Sequence, residues 1–303
     1  MTERPDPWRE LSIKRDALTL TLLPGIGGRL WDVALGGRSL LFQNPDLLGQ
    51  PFRADSLASL PTRSPQFGFP LWGGEKTWVA PDRDWPAGAP YPALDAGAYH
   101  IATHSPEAVS LVSPVCPISQ LQITRTVTLR SGSAFSIAHS LRNCGSAPRR
   151  CGIWSVMMLD HPARIAVPGL HPAIRPVFDR HDGRATSSAD GLTCTCQDPH
   201  QFKIATANPT GRTLIRNLLH DISILCTTGP SAPGDSYAHG LPFEIFNSGD
   251  YAYCEAEWHA PARNLAPQAE LRFTQNFRIW RGAPPGDLAL TRPEKELLTC
   301  MSS

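Results

Sequence analysis

Ala17-Leu18-Thr19-Leu20-Thr21-Leu22-Leu23 is followed by Pro24-Gly25-Ile26-Gly27-Gly28 and then by Arg29-Leu30-Trp31-Asp32-Val33. Leu18, Leu20 and Leu22 recur every second residue, the period that lines one face of a strand. A proline- and glycine-rich segment turns the chain, and an apolar run resumes behind it. Gly36-Gly37 is a second, hairpin-type turn before Ser39-Leu40-Leu41-Phe42. The chain therefore opens as a β-meander.

The same period returns in Leu121-Gln122-Ile123-Thr124-Arg125-Thr126-Val127-Thr128-Leu129. Further strands are predicted at 99–103, 108–112, 134–141, 151–159, 201–206, 213–218, 222–227, 251–258 and 271–280. No segment has a long helical period with caps; short helical turns are predicted near 44–48 and 293–298. Thirty prolines and twenty-four glycines in 303 residues interrupt helices and favour short strands joined by turns. Residues 54–92 lack a period and read as a long irregular loop, and six aromatics within it argue for order. No repeat and no composition break divides the chain, so one domain over residues 1–303 is expected. The pattern predicts an all-β protein, a large antiparallel sandwich with few short helices.

A net charge of +1 gives no concentrated positive field, so nucleic acid is not the expected partner. No apolar run approaches the ~18 residues of a spanning helix, and none is expected at a membrane. The first sixteen residues have no apolar h-region. The eight cysteines form no CxxC pair and read as free thiols of a reducing compartment, so a cytoplasmic location is expected. No GxSxG, Walker or HExxH pattern and no Rossmann glycine fingerprint occurs.

Two segments carry candidate chemistry. Gly73-Gly74-Glu75-Lys76-Thr77-Trp78-Val79-Ala80-Pro81 has Trp85 close behind. Sugars present hydroxyl rims and C–H faces, so their sites combine charged hydrogen-bonding groups with flat aromatics. Glu75, Lys76, Trp78 and Trp85 supply both, on a loop that glycines let approach closely. The bland alternative is a Trp-rich plug over the sheet, with Glu75 and Lys76 an ordinary ion pair. In Tyr253-Cys254-Glu255-Ala256-Glu257-Trp258-His259, alternation puts Tyr253, Glu255, Glu257 and His259 on one face. Two close carboxylates raise each other's pKa and suit proton transfer. The same pattern also describes a solvated sheet face. Arg29, after a glycine turn, either reaches a ligand oxygen or pairs a carboxylate. His161, at a strand end, is either a proton donor or a structural histidine.

Leu22–Leu30, the Gly73–Pro81 block followed by Trp85-Pro86, and Glu255–Glu257 followed by Pro261, Asn264-Leu265 and Pro267 resemble the galactose mutarotase-like (aldose 1-epimerase) superfamily, in the expected order. The resemblance implies a β-supersandwich with a sugar site on a concave sheet face. It implies a glutamate that takes the anomeric hydroxyl proton and a histidine that protonates the ring oxygen. Glu257 is matched to the glutamate, with Glu255 second. The superfamily's histidine segment corresponds to Gly152–Met157, which has no histidine; His161 lies just beyond it. Lys76 stands loosely where mutarotases place an arginine.

Three readings follow. An aldose 1-epimerase-like enzyme, needing neither metal nor organic cofactor, requires Glu257 and a histidine on one pocket. A non-catalytic sugar-binding or sensing module requires Trp78 or Trp85 to stack, with no histidine near. A lyase or hydrolase step requires two carboxylates flanking a bond, such as Glu75 opposite Glu257. In each the ligand is a small-molecule sugar, bound by Arg29, Glu75, Lys76, Trp78, Trp85, Glu255 and His259 around the catalytic candidates Glu257 and His161, in a monomer or homodimer.

Overall fold

The computed structural model describes residues 6–60, 64, 67–283, 288 and 290–299. Nearly all of its regular structure is strand, in two antiparallel sheets. The first sheet has eleven strands. Its main path runs Leu11–Arg15, Leu18–Leu23, Arg29–Leu35, Glu75–Ala80, Arg149–Asp160, Tyr253–His259, Phe243–Asn247, Phe202–Thr206 and Arg175–Phe178. The second has ten, from Ala185–Ser188 at one edge to His100–His104 at the other. This is the expected all-β sandwich, and sheet pairing follows from the alternation: Leu20 opposes Val33, and Val127 opposes Ile137.

The apolar faces of both sheets form one core. Leu20, Val33 and Ile153 from the first sheet and Ile123, Ile137 and Ile224 from the second are fully buried in it. Transfer of such side chains from water, at about 25 cal/mol per Å² of apolar surface, is the main favourable term. The seven cysteines among the described residues are free thiols.

Three local expectations change. Residues 73–81 are no loop: Glu75–Ala80 is a fully buried strand pairing with Arg149–Asp160. The glycines before it permit this. A Cβ on Gly73 would lie 2.3 Å from the Phe42 carbonyl oxygen, and one on Gly74 2.6 Å from that of Leu30. The φ of 114° at Gly73 suits glycine alone, and the φ of 71° at Gly74 favours it. Residues 44–48 form turns rather than a helix. Residues 161–200, where no strand is predicted, hold four short strands, among them Ala163–Pro168 and Gly191–Cys196. Near the C-terminus a helix, Arg292–Thr299, does form. Glu294 accepts hydrogen bonds from the Thr291 backbone and hydroxyl at 2.7 and 3.0 Å, capping its start.

Candidate functional site

Five adjacent strands of the first sheet carry the site: Glu75–Ala80, Arg149–Asp160, Tyr253–His259, Phe243–Asn247 and Phe202–Thr206. Register decides which side chains meet. Lys76 opposes Val156, which opposes Glu257, which opposes Glu244. Trp78, Trp154 and His259 form the neighbouring row. Met158, Glu255, Phe246 and Lys203 form the row on the other side. Residues two apart share a face, so all three rows belong to the face turned away from the second sheet.

Over this face lies a cavity of about 210 Å³. Its walls are rings, among them Phe69, Trp78, Trp85, Trp154, Phe246 and Tyr253. Trp85 stacks on Trp154 with centroids 5.6 Å apart, and Trp78 meets both edge-on. Each indole N–H of this trio is satisfied: Trp78 by Asp95, Trp85 by the Val79 carbonyl, Trp154 by Glu257. The rings are thus held in fixed orientation. The cavity's charged groups are Asp82, Lys203 and Glu255.

An ionic layer supports them. Lys76 pairs with Glu255 at 3.0 Å. Lys203 lies 2.8 Å from Glu257 and 3.0 Å from Glu244. Both ammonium groups sit over indole faces, Lys76 at 4.3 Å from Trp78 and Lys203 at 4.7 Å from Trp154. Glu244 also contacts His259 Nε2 at 3.1 Å and His239 Nδ1 at 3.2 Å.

Two lysines face three carboxylates here, and the imbalance sets the protonation. Burial pushes the Glu257 carboxyl up to about 8, with Glu244 and Glu255 reinforcing the shift and Lys203 opposing it. Burial also acts on Glu244, but Lys203 and the two imidazoles hold it well below the carboxylate range. Burial works against the charge of Lys203, yet Glu257 and Glu244 outweigh it and raise its pKa. Lys203 cannot neutralise both carboxylates. Glu244 has three polar partners on one oxygen and keeps its charge. Glu257 takes Trp154 and Lys203 on Oε2 and has no partner on the buried Oε1, so it is the group that gains a proton. Burial lowers His259 to about 4.

Of the residues named from sequence, the structure gathers Lys76, Trp78, Trp85, Glu255, Glu257 and His259. Three fall elsewhere. Arg29 is buried as a fork on Asp95, at 2.6 Å, and on the carbonyls of Gly73 and Asp95. Glu75 points to the opposite face, between the sheets, where it pairs with Arg125. The sheet therefore separates it from Glu257, and the two do not flank a common bond. His161 lies past its strand's end and bonds Asn247 at 2.9 Å, outside the cavity lining. Trp154, Lys203, Glu244, His239 and Asp82 complete the site. Trp154 and Lys203 lie within the predicted strands 151–159 and 201–206. Glu244 and His239 had no local signal.

A galactose mutarotase related enzyme from Lactobacillus acidophilus superposes with a TM-score of 0.60 at 10% identity, over 93% of this chain and 100% of that one. A galactose mutarotase-like protein from Lactobacillus casei gives 0.58 at 12%, over 90% and 100%. The fold is that of the galactose mutarotase-like proteins. An Escherichia coli protein provisionally named an aldose 1-epimerase shares it, with a TM-score of 0.55 at 13% identity over 90% of this chain and 99% of that one. The likeness is one of fold: no protein-family model and no curated protein matches the sequence. Among the described residues no helix is long and apolar enough to cross a membrane.

Proposed function

We propose that the aromatic cavity binds a monosaccharide and that the protein is an aldose 1-epimerase-like enzyme. The observation that carries this is Glu257: a buried carboxyl with one free oxygen, touching the ammonium of Lys203, which faces a ring-walled cavity of monosaccharide size. Indoles such as Trp78 and Trp85 offer flat faces to the C–H side of a pyranose. Glu255 and Asp82 offer acceptors to its hydroxyls.

In this reading the ionised form of Glu257, populated as pH rises toward about 8, takes the proton from the anomeric hydroxyl. A carboxyl raised toward neutral pH is a stronger base than an ordinary one, which suits that step. Lys203 gives a proton to the ring oxygen as the ring C–O bond breaks. Rotation about C1–C2 and reversal of both transfers close the other anomer. Proton donor and acceptor are restored at the end, and nothing is oxidised or reduced. Lys203 here takes the acid role for which the resemblance implied a histidine.

One observation favours a second reading, a site that binds sugar without opening it. Glu257 has 0% exposure, with Trp154 and Lys203 between it and the cavity. NMR anomer exchange on a panel of aldoses, wild type against Glu257→Gln, separates the two. The enzyme reading expects acceleration that falls at least about 100-fold in the variant. Saturable sugar binding with no acceleration selects the second reading. Neither binding nor acceleration with any aldose rejects both.

A further inference from the structure

Behind Lys203 the site holds a cluster that sugar chemistry does not require. We propose that His239, Glu244 and His259 form a binding site for a zinc-type divalent cation, with Asp82 holding His239 from behind. The inference rests on this cluster's geometry and not on the sugar reading.

The three donors come from separate elements: Glu244 from the Phe243–Asn247 strand, His259 from the end of Tyr253–His259, and His239 from the loop before them. Their ligand atoms all lie within 4.8 Å of one another. Glu244 Oε2 is 3.2 Å from His239 Nδ1 and 3.1 Å from His259 Nε2. Zinc bound tetrahedrally at 2.0–2.1 Å places its ligand atoms roughly 3.3 Å apart, and two imidazoles with a carboxylate are a common zinc set. The two glutamate–histidine separations already suit such an ion, and the two imidazoles, within 4.8 Å of each other, would close on it.

Hydrogen counting supplies the second observation. A neutral imidazole carries one N–H. His239 Nδ1 meets Glu244 at 3.2 Å, whereas its buried Nε2 has no hydrogen-bond partner, the Asp82 carboxylate standing 3.5 Å away. One hydrogen on Nδ1 serves Glu244 and leaves Nε2 unpartnered. A cation on Nδ1 moves that hydrogen to Nε2. Nε2–H then turns to Asp82, the carboxylate–histidine–metal arrangement that orients a ligating ring. Lys203 also touches Glu244 Oε2, at 3.0 Å, so with a metal present it is expected to rest on Glu257.

The test uses the full chain, stripped with EDTA and titrated with Zn²⁺ against a chromophoric chelator. Uptake of one equivalent is expected, with a rise in Tm. Co²⁺ in place of Zn²⁺ should give the visible bands of a tetrahedral site. His239→Ala should take up none at this site. Asp82→Asn, at an exposed carboxylate, should bind about 10–100-fold more weakly, and it carries the test if circular dichroism shows His239→Ala misfolded. Equal uptake by wild type and both variants would place the metal elsewhere, on thiols or surface histidines, and overturn the proposal. So would no uptake by the wild type.

Discussion

Lys203 serves two buried carboxylates at once, at 2.8 and 3.0 Å, and lies over the Trp154 ring. The energetic consequence is asymmetric. Burying an ion pair is close to neutral against an apolar substitute, whereas removing one partner leaves an uncompensated charge. Lys203→Met keeps the apolar stem but strips Glu244 and Glu257 of their cation. A loss of about 3–5 kcal/mol in urea unfolding is expected. The Lys203→Met/Glu257→Gln double variant should lose clearly less than the sum of the single losses, because the neutral amide no longer needs the ammonium. Strict additivity would show that the two side chains do not interact in solution. Trp154 belongs to the same unit: its indole N–H and the lysine both bind Glu257 Oε2, so ring position and charge balance are fixed together.

Among the elements, the central strand Glu75–Ala80 depends on the glycine pair before it. At Gly74 φ is 71° and a Cβ would meet backbone, which cannot rotate out of the way. Gly74→Ala is expected to cost about 2–4 kcal/mol, from positive φ and overpacking together. It should also change the near-ultraviolet circular dichroism, because Lys76 and Trp78 follow directly on the displaced backbone. A variant with wild-type stability and spectrum would contradict that account. Period two marks a strand only where one of its faces is polar and the other apolar. Leu121–Ser131 alternates buried and half-buried residues, so period two was visible. Glu75–Ala80 is buried on both faces, and polar residues occupy both, so no period survives. Phe243–Asn247 is five buried residues without alternation, and Glu244 went unseen with it. In Tyr253–His259 the face carrying Glu255, Glu257 and His259 was legible. Whether water or protein covered it was not, because the cover comes from residues such as Phe69 and Trp85, far away in sequence. His239 became a candidate only once that strand was placed beside Glu244.

Across the whole molecule, the two sheets are joined by a buried polar chain as well as by apolar packing. Arg125 of the second sheet pairs with Glu75 of the first. Glu75 accepts from Ser155 at 3.0 Å, and Ser155 contacts Gln275 at 2.9 Å. Gln275 and Thr77 each lie 2.8 Å from His139, one at each ring nitrogen. His139 is 1% exposed, and burial lowers its pKa to about 4. An unfolded histidine titrates near 6.5. Between those values the unfolded chain binds a proton that the folded chain refuses, so stability rises with pH. The contribution is complete above about pH 6.5 and is lost as pH falls toward 4, a change of about 3 kcal/mol for this one group. His259, also lowered to about 4 by burial, adds a loss of the same sign. Urea unfolding between pH 4.5 and 7.5 should therefore show a steep acid side. His139→Gln, which keeps an amide at the same junction, should flatten that slope by close to one proton. If the slope is unchanged, His139 is not held neutral, and a charge must then be balanced where both sheets meet. Glu75 is the carboxylate within that chain, already committed to Arg125 and Ser155. Protonating His139 would therefore draw Glu75 away from the contacts that tie the central strand to the opposite sheet.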